Sequence, residues 1–166
     1  KACSFGNASI TSFFPSKPLG CYGDGGAIFT DDSKINELTK SIRNHGAGSN
    51  RYDNIRLGIN GRLDSIQAAI LLEKLTLFED ELKARQLVAE RYAKNLDKSL
   101  IFQYIPRDYS TSWAQYSLLL PDHSGRKKVM GIMKEKNIPT MVYYKTALHL
   151  QKVFKQLNYS VGDFKV

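Results

Sequence analysis

The sequence predicts an α/β chain in two parts joined by one long helix. Three observations predict it. Two short β-branched and aromatic runs, SITSFF (9–14) and AIFT (27–30), read as buried strands and are followed by an amphipathic helical pattern. No glycine or proline interrupts residues 64–97. Beyond that stretch, short strand-like and helix-like runs alternate, an α+β pattern unlike the first half.

The elements follow in order. Pro15 ends the first strand, and with Pro18 it brackets Lys17. Proline fixes its own φ and restricts the residue before it, so Phe14 and Lys17 are both confined. The run Gly20-Cys-Tyr-Gly-Asp-Gly-Gly26 leads into the second strand. In DDSKINELTKSIRNHG (31–46), Asp31, Asp32 or Ser33 can cap a helix, and Ile35, Leu38 and Ile42 share one face. Arg43 and His45 are expected in its last turn, where cations suit the dipole, and Gly46 is a natural stop. Residues 47–61 are polar and glycine-bearing, too long for a plain connector, and such loops are often functional. Asp64 and Gln67 then predict a capping-box variant at the start of the long helix. Leu63, Ile66, Ile70, Leu71, Leu75, Phe78, Leu82, Val88 and Tyr92 keep rough helical spacing along it. A helix of this length joins two bodies or lies across a partner. Further on, IFQYIP, AQYSLLLP and IPTMVYY read as strands, GRKKVMGIMKEKN as a short helix and HLQKVFKQL as another helical turn or two.

Composition narrows the function classes. With 42% hydrophobic and 24% charged residues, the 166-residue chain is globular in type, and no run of about 18 apolar residues predicts a membrane span. It opens KACSFG and closes GDFKV, and is expected to be cut at both ends. Its net charge of +8 suits a polyanionic partner. The cations are scattered, without the clustered stripe and interleaved aromatics of a nucleic-acid module, so no nucleic-acid partner is expected. Cys3 and Cys21 lack metal-ligand spacing. Reduced thiols in a cytoplasmic protein, with no metal, are expected.

The glycines read GxxGxGG and precede a strand. Neither a dinucleotide fingerprint nor a P-loop has that spacing or that context. They let the backbone bend tightly and approach something closely. Lys17 read alone is an ordinary surface lysine. Held in a partly desolvated site, such a lysine becomes a nucleophile toward an aldehyde.

The ordered series Ser12-Phe-Phe-Pro-Ser-Lys17-Pro-Leu-Gly, Gly23-Asp-Gly-Gly-Ala-Ile, Asn44-His-Gly, Gly58-Ile-Asn-Gly-Arg-Leu-Asp-Ser-Ile-Gln-Ala-Ala, Trp113-Ala-Gln-Tyr116 and Tyr144-Lys-Thr-Ala-Leu-His149-Leu-Gln resembles the DegT/DnrJ/EryC1/StrS family. These are sugar aminotransferases dependent on pyridoxal 5'-phosphate. The resemblance spans nearly the whole chain. It implies a partial type I aminotransferase fold truncated at both ends: the later part of the large α/β/α domain over 1–62, a linking helix over 63–97, and an incomplete small α+β domain over 98–166.

By position, the resemblance makes Lys17 the lysine that holds the cofactor covalently and moves protons. Ser12 matches the hydroxyl on the cofactor phosphate, and Asn60 matches an asparagine that reaches the neighbouring subunit's cofactor in a homodimer with shared active sites. Arg62, Tyr143 and His149 are candidate substrate contacts. A bland account stands beside each: turn residue for Asn60, surface arginine for Arg62, structural histidine for His149. Trp113 and Tyr116 are expected in the core. Dehydratase relatives carry histidine where Lys17 stands, so transamination is implied. The partner of the pyridine nitrogen and the ring-stacking aromatic are expected before Lys1, so the 166 residues alone are expected to be inactive. The wording SFFPSKPLGCYGDGGA looks closest to enzymes that aminate C3 of a UDP-linked 2-acetamido-3-keto-hexuronic acid, with L-glutamate as donor, for surface polysaccharide such as O-antigen. The alternatives are a non-catalytic regulatory or structural relative and a basic nucleic-acid-binding domain.

Overall fold

The computed structural model describes residues 2–50 and 52–164. It divides into two compact units, Lys1–Leu118 and Leu119–Val166, each described by itself.

In the first unit, β1 (Ser9–Ser12) pairs antiparallel with β2 (Gly26–Phe29), Ser9 opposite Phe29 and Ser12 opposite Gly26. Both strands were expected to be buried, and they are not. Ile10 is 78% and Ile28 53% exposed, because a ladder of two four-residue strands has no layer on its faces to cover them.

Helix α1 (Ser33–Ile42) starts as its sequence predicts. Asp32 is the N-cap, and its Oδ1 accepts from the backbone N–H of Lys34 (2.7 Å) and Ile35 (3.2 Å). Its end departs from expectation. The helix stops at Ile42 with Arg43 as C-cap, and His45 lies beyond it with φ +60. The orphaned carbonyls are satisfied by the returning chain instead of by a longer helix: Ile59 N donates to Ile42 O and Gly61 N to Arg43 O, both at 2.8 Å. His45 N donates to Ile59 O at 3.0 Å, completing an isolated bridge between Asn44 and Asn60.

Helix α2 (Ser65–Asn95) runs 31 residues, roughly 46 Å at 1.5 Å per residue. Asp64 is its N-cap but makes no side-chain cap hydrogen bond. The predicted capping box does not form, because Gln67 is engaged elsewhere, accepting from Tyr22 N at 2.8 Å. Leu71 and Ala89 are buried, whereas Ile66, Leu75, Val88 and Tyr92 of the expected apolar stripe are exposed. Toward its end Tyr92 stacks on Tyr116 (5.0 Å between ring centroids), which stacks on Trp113 (5.4 Å). Burial pushes the Tyr116 phenol above its usual range.

The predicted strands of the second half shrink to β3 (Ile101–Phe102) and β4 (Leu118–Leu119), two residues each. The second unit holds α3 (His123–Glu135), capped by Asp122 through Gly125 N at 2.7 Å, and two 3-10 turns, Leu148–Leu150 and Lys152–Leu157. The strand expected over 138–144 does not form. Its apolar, β-branched content favours a pleated surface, but the segment finds no ladder partner among the described residues, and Pro139 removes a donor. No helix among the described residues is long and apolar enough to cross a membrane.

Candidate active site

Lys17 sits on a tight turn. Its backbone N–H donates to Phe14 O at 2.8 Å, so Phe14-Pro15-Ser16-Lys17 closes as a four-residue turn with proline at its second position, where a fixed φ is favourable. Ser12 is tied to the same residue, its Oγ accepting from Phe14 N at 3.2 Å. The structure therefore brings Ser12 and Lys17 to one short segment. With the Ser12 oxygen accepting from the backbone, its own O–H is left as a donor. Both side chains are exposed.

The glycine run folds back against this turn. Phe13 N donates to Gly25 O and Cys21 N to Phe13 O, both at 2.8 Å. The Cys21 thiol is fully buried beneath it, within 3.0 Å of Phe13 O and 3.1 Å of Gly23 O. Cys3 and Cys21 are both free thiols.

Asn60 and Arg62 form a second group in the same unit. Asn60 lies between the two residues that cap α1, so the helix end fixes its backbone. Its side-chain amide makes no hydrogen bond among the described residues. The Arg62 guanidinium donates to Asn44 Oδ1 at 2.7 Å. An open polar cleft of about 640 Å³ is lined by Asn44, His45, Ala47, Tyr52, Asn54 and Arg62. No hydrogen bond joins this group to the Lys17 turn among the described residues. Tyr143 and His149 belong to the second unit. Tyr143 is exposed and meets Tyr144 edge to face. His149 packs against Tyr159 and Phe164, and its Nε2 is buried without a hydrogen-bond partner.

The donor set fits pyridoxal phosphate in kind. It offers a primary amine for an aldehyde carbon and a hydroxyl donor for a phosphate, both exposed on one braced segment. A further amide and a guanidinium stand on the loop that is hydrogen-bonded to the end of α1. Two polar side chains that the sequence does not single out for this role brace the segment after the lysine: Gln67, which accepts from Tyr22 N at 2.8 Å, and Lys74, whose Nζ donates to Gly20 O at 2.6 Å. Their shared spacing on a largely apolar helix face was the available signal.

A model of the DegT/DnrJ/EryC1/StrS aminotransferase family matches residues 1–166. The chain belongs to this family. The family is one of aminotransferases dependent on pyridoxal phosphate, and the partial α/β fold is theirs. A DegT/DnrJ/EryC1/StrS aminotransferase from Brucella abortus superposes with a TM-score of 0.84 at 45% identity, over 91% of this chain and 40% of that one. The UDP-2-acetamido-2-deoxy-3-oxo-D-glucuronate aminotransferase of Pseudomonas aeruginosa is 43% identical over 166 residues, 98% of this chain and 45% of its own length. A pleiotropic regulatory protein of Geobacillus stearothermophilus is 38% identical over 162 residues, 95% of this chain and 42% of its own. This DegT-family chain thus spans less than half the length of the curated relatives it matches.

Proposed function

We propose that the protein transfers an amino group from an amino acid, L-glutamate, to the C3 keto group of a UDP-linked 2-acetamido-3-keto-hexuronic acid, in the cytoplasm, for surface polysaccharide of the O-antigen type. The observation that carries this is the Phe14–Lys17 turn, which presents an exposed amine beside the Ser12 hydroxyl. The 43% identity to an aminotransferase named for a UDP-linked 3-oxo sugar supports the substrate, and the net charge of +8 suits its diphosphate.

Pyridoxal phosphate, when bound, supplies the electron sink that lets a proton leave the donor's α-carbon. Lys17 would hold it through Nζ, with Ser12 Oγ donating to its phosphate. The Lys17 amine would take up the proton that leaves the donor's α-carbon. It must be uncharged at that moment, because an ammonium has no lone pair to accept with. In the second half-reaction the same amine would run the proton transfer in the opposite sense and deliver a proton at C3 of the sugar. Asn60 would reach the cofactor of the partner subunit in a homodimer, from a loop too firmly strapped to α1 to wander. Arg62, already fixed by Asn44, offers a cation to the nucleotide sugar, and Tyr143 and His149 are the second unit's candidates for contact with it.

A second reading is favoured by the 38% identity to a pleiotropic regulatory protein: a relative that keeps the fold without amino transfer. One experiment separates the two. The full-length protein is loaded with pyridoxal phosphate, reduced with borohydride and digested, and turnover is assayed with glutamate and the keto sugar. Label on the peptide carrying Lys17 together with amino transfer is expected. Label on another lysine removes Lys17 from its role. Label on Lys17 without transfer for any keto sugar nucleotide favours the regulator.

A further inference from the structure

We propose that Gln67 and Lys74, on the opening turns of α2, are positioning residues for Lys17, and this rests on Lys17 being the cofactor-bearing lysine. Neither touches the amine. They act through the backbone of Gly20–Tyr22.

The contacts form a continuous chain. Gln67 Oε1 accepts from Tyr22 N at 2.8 Å, and Lys74 Nζ donates to Gly20 O at 2.6 Å while standing 5.1 Å from the centroid of the Tyr22 ring. Between them Leu71 is buried, so positions 67, 71 and 74 form one docked stripe at i, i+4 and i+7. The segment they hold lies hard against the lysine turn. A Cβ added to Gly20 would stand 2.7 Å from the carbonyl oxygens of both Phe14 and Pro15, a separation that real Cβ atoms essentially never show. The backbone at Gly20 is therefore packed on the two residues whose carbonyls begin the Lys17 turn. Cys21 N adds its bond to Phe13 O. Fixing Gly20 and Tyr22 to the helix fixes Phe13–Pro15, and Phe14 O in turn holds Lys17 N.

The helix gives something up for this arrangement. Its N-terminus forgoes the reciprocal Asp64–Gln67 cap, and Gln67 reaches across 45 residues of sequence instead. A local preference overridden at one site, beside a candidate catalytic lysine, is the pattern expected where function sets the geometry.

The test uses the full-length holoenzyme with Gln67→Ala and Lys74→Met, and with Gln67→Glu and Lys74→Arg as variants that retain the acceptor or the donor. The first readout needs no cofactor: the rate at which a thiol reagent modifies buried Cys21. Losing one hydrogen bond on the loop is expected to raise it about fivefold, with recovery in the two conservative variants. The second is the pH midpoint of the bound cofactor's visible band, which reports the environment of the lysine nitrogen. It is expected to shift in Gln67→Ala and Lys74→Met and to return toward the parental value in Gln67→Glu and Lys74→Arg. A merely structural clamp would change Cys21 reactivity and leave the midpoint in place, and that result overturns the proposal while leaving Lys17's own role standing. Borohydride label on a different lysine in the unaltered protein overturns both. Should one of the two disruptive variants fail to fold, the other carries the same test.

Discussion

Gly46 and Gly58 meet backbone to backbone: a Cβ added at Gly58 would stand 2.1 Å from Gly46 N, and one added at Gly46, which has φ +73, would stand 1.8 Å from Arg56 O. This contact closes the loop that carries Asn60 onto the end of α1. A single methyl at either position forces the two segments apart and breaks the bonds from Ile59 and Gly61 to the helix carbonyls. Gly58→Ala is expected to cost about 2–4 kcal/mol, the range for backbone strain with lost hydrogen bonds. Urea unfolding of the full-length protein measures it, and a loss below about 0.5 kcal/mol would show that the loop accommodates the methyl.

A milder, pH-dependent effect is expected where α2 ends. The backbone N–H of Ser99 donates to Asp97 Oδ1 at 2.8 Å and, as the largest cause, holds this carboxyl below its usual range. A folded pKa below the unfolded one stabilises at pH values above the unfolded value of 3.8, and the benefit disappears as pH falls through the lowered folded value. Asp97→Ala should therefore shift the urea midpoint at pH 7 and have a smaller effect near pH 3. An equal shift at both pH values would rule this out.

Replacing Lys17 tests the chemistry most directly. Lys17→Ala is expected to abolish covalent attachment of pyridoxal phosphate and to lower amino transfer by at least ~10²–10⁴-fold, the worth of one general acid–base group. Lys17→Arg retains the charge but offers no neutral amine, and should fail equally. Parental turnover in either variant would transfer the role to another residue.

What the sequence made legible was local. Asp32, one of three caps the sequence offers, binds N–H groups two and three residues on, and the prolines that confine Phe14 and Lys17 flank a turn that closes over four residues. The partners of Gln67 and Lys74 lie 45 and 54 residues away, and the end of α1 is capped from residues 59 and 61. Nothing in a window of neighbours encodes such pairings. Strand-like runs misled where no ladder forms, as over 138–144, and apolar alternation did not foretell that Ile10 and Ile28 would stand exposed. Of the candidate site, Ser12 and Lys17 come together through Phe14. The tie between Arg62 and Asn44 emerges only once the loop returns to the helix.

That tie carries a prediction for binding. Arg62→Ala removes the guanidinium from the cleft it shares with Asn44 and His45, together with its bond to Asn44. A charge-assisted hydrogen bond is worth about 1.5–3 kcal/mol, so KM for the nucleotide sugar should rise roughly tenfold or more. The glutamate half-reaction, which does not involve the sugar, should be nearly unchanged. An equal loss in both half-reactions would place Arg62 on the cofactor instead.

Sharing of sites across a dimer makes the sharpest demand, because it predicts recovery of activity from two inactive proteins. If Asn60 serves the partner's cofactor, a Lys17→Ala homodimer lacks the amine in both sites and an Asn60→Ala homodimer lacks the amide in both. In a mixed dimer, one site combines the Lys17 of the Asn60→Ala subunit with the Asn60 of the Lys17→Ala subunit, and is whole; the other site lacks both. Random mixing makes half the dimers mixed, each with one intact site of two, so about a quarter of parental activity should return on simple statistical grounds. Because Asn60 is fixed between two residues bonded to α1, its amide has little freedom to swing into its own subunit's site instead. Mixed dimers verified by mass spectrometry that show no recovery would mean that Asn60 acts within its own chain or not at all.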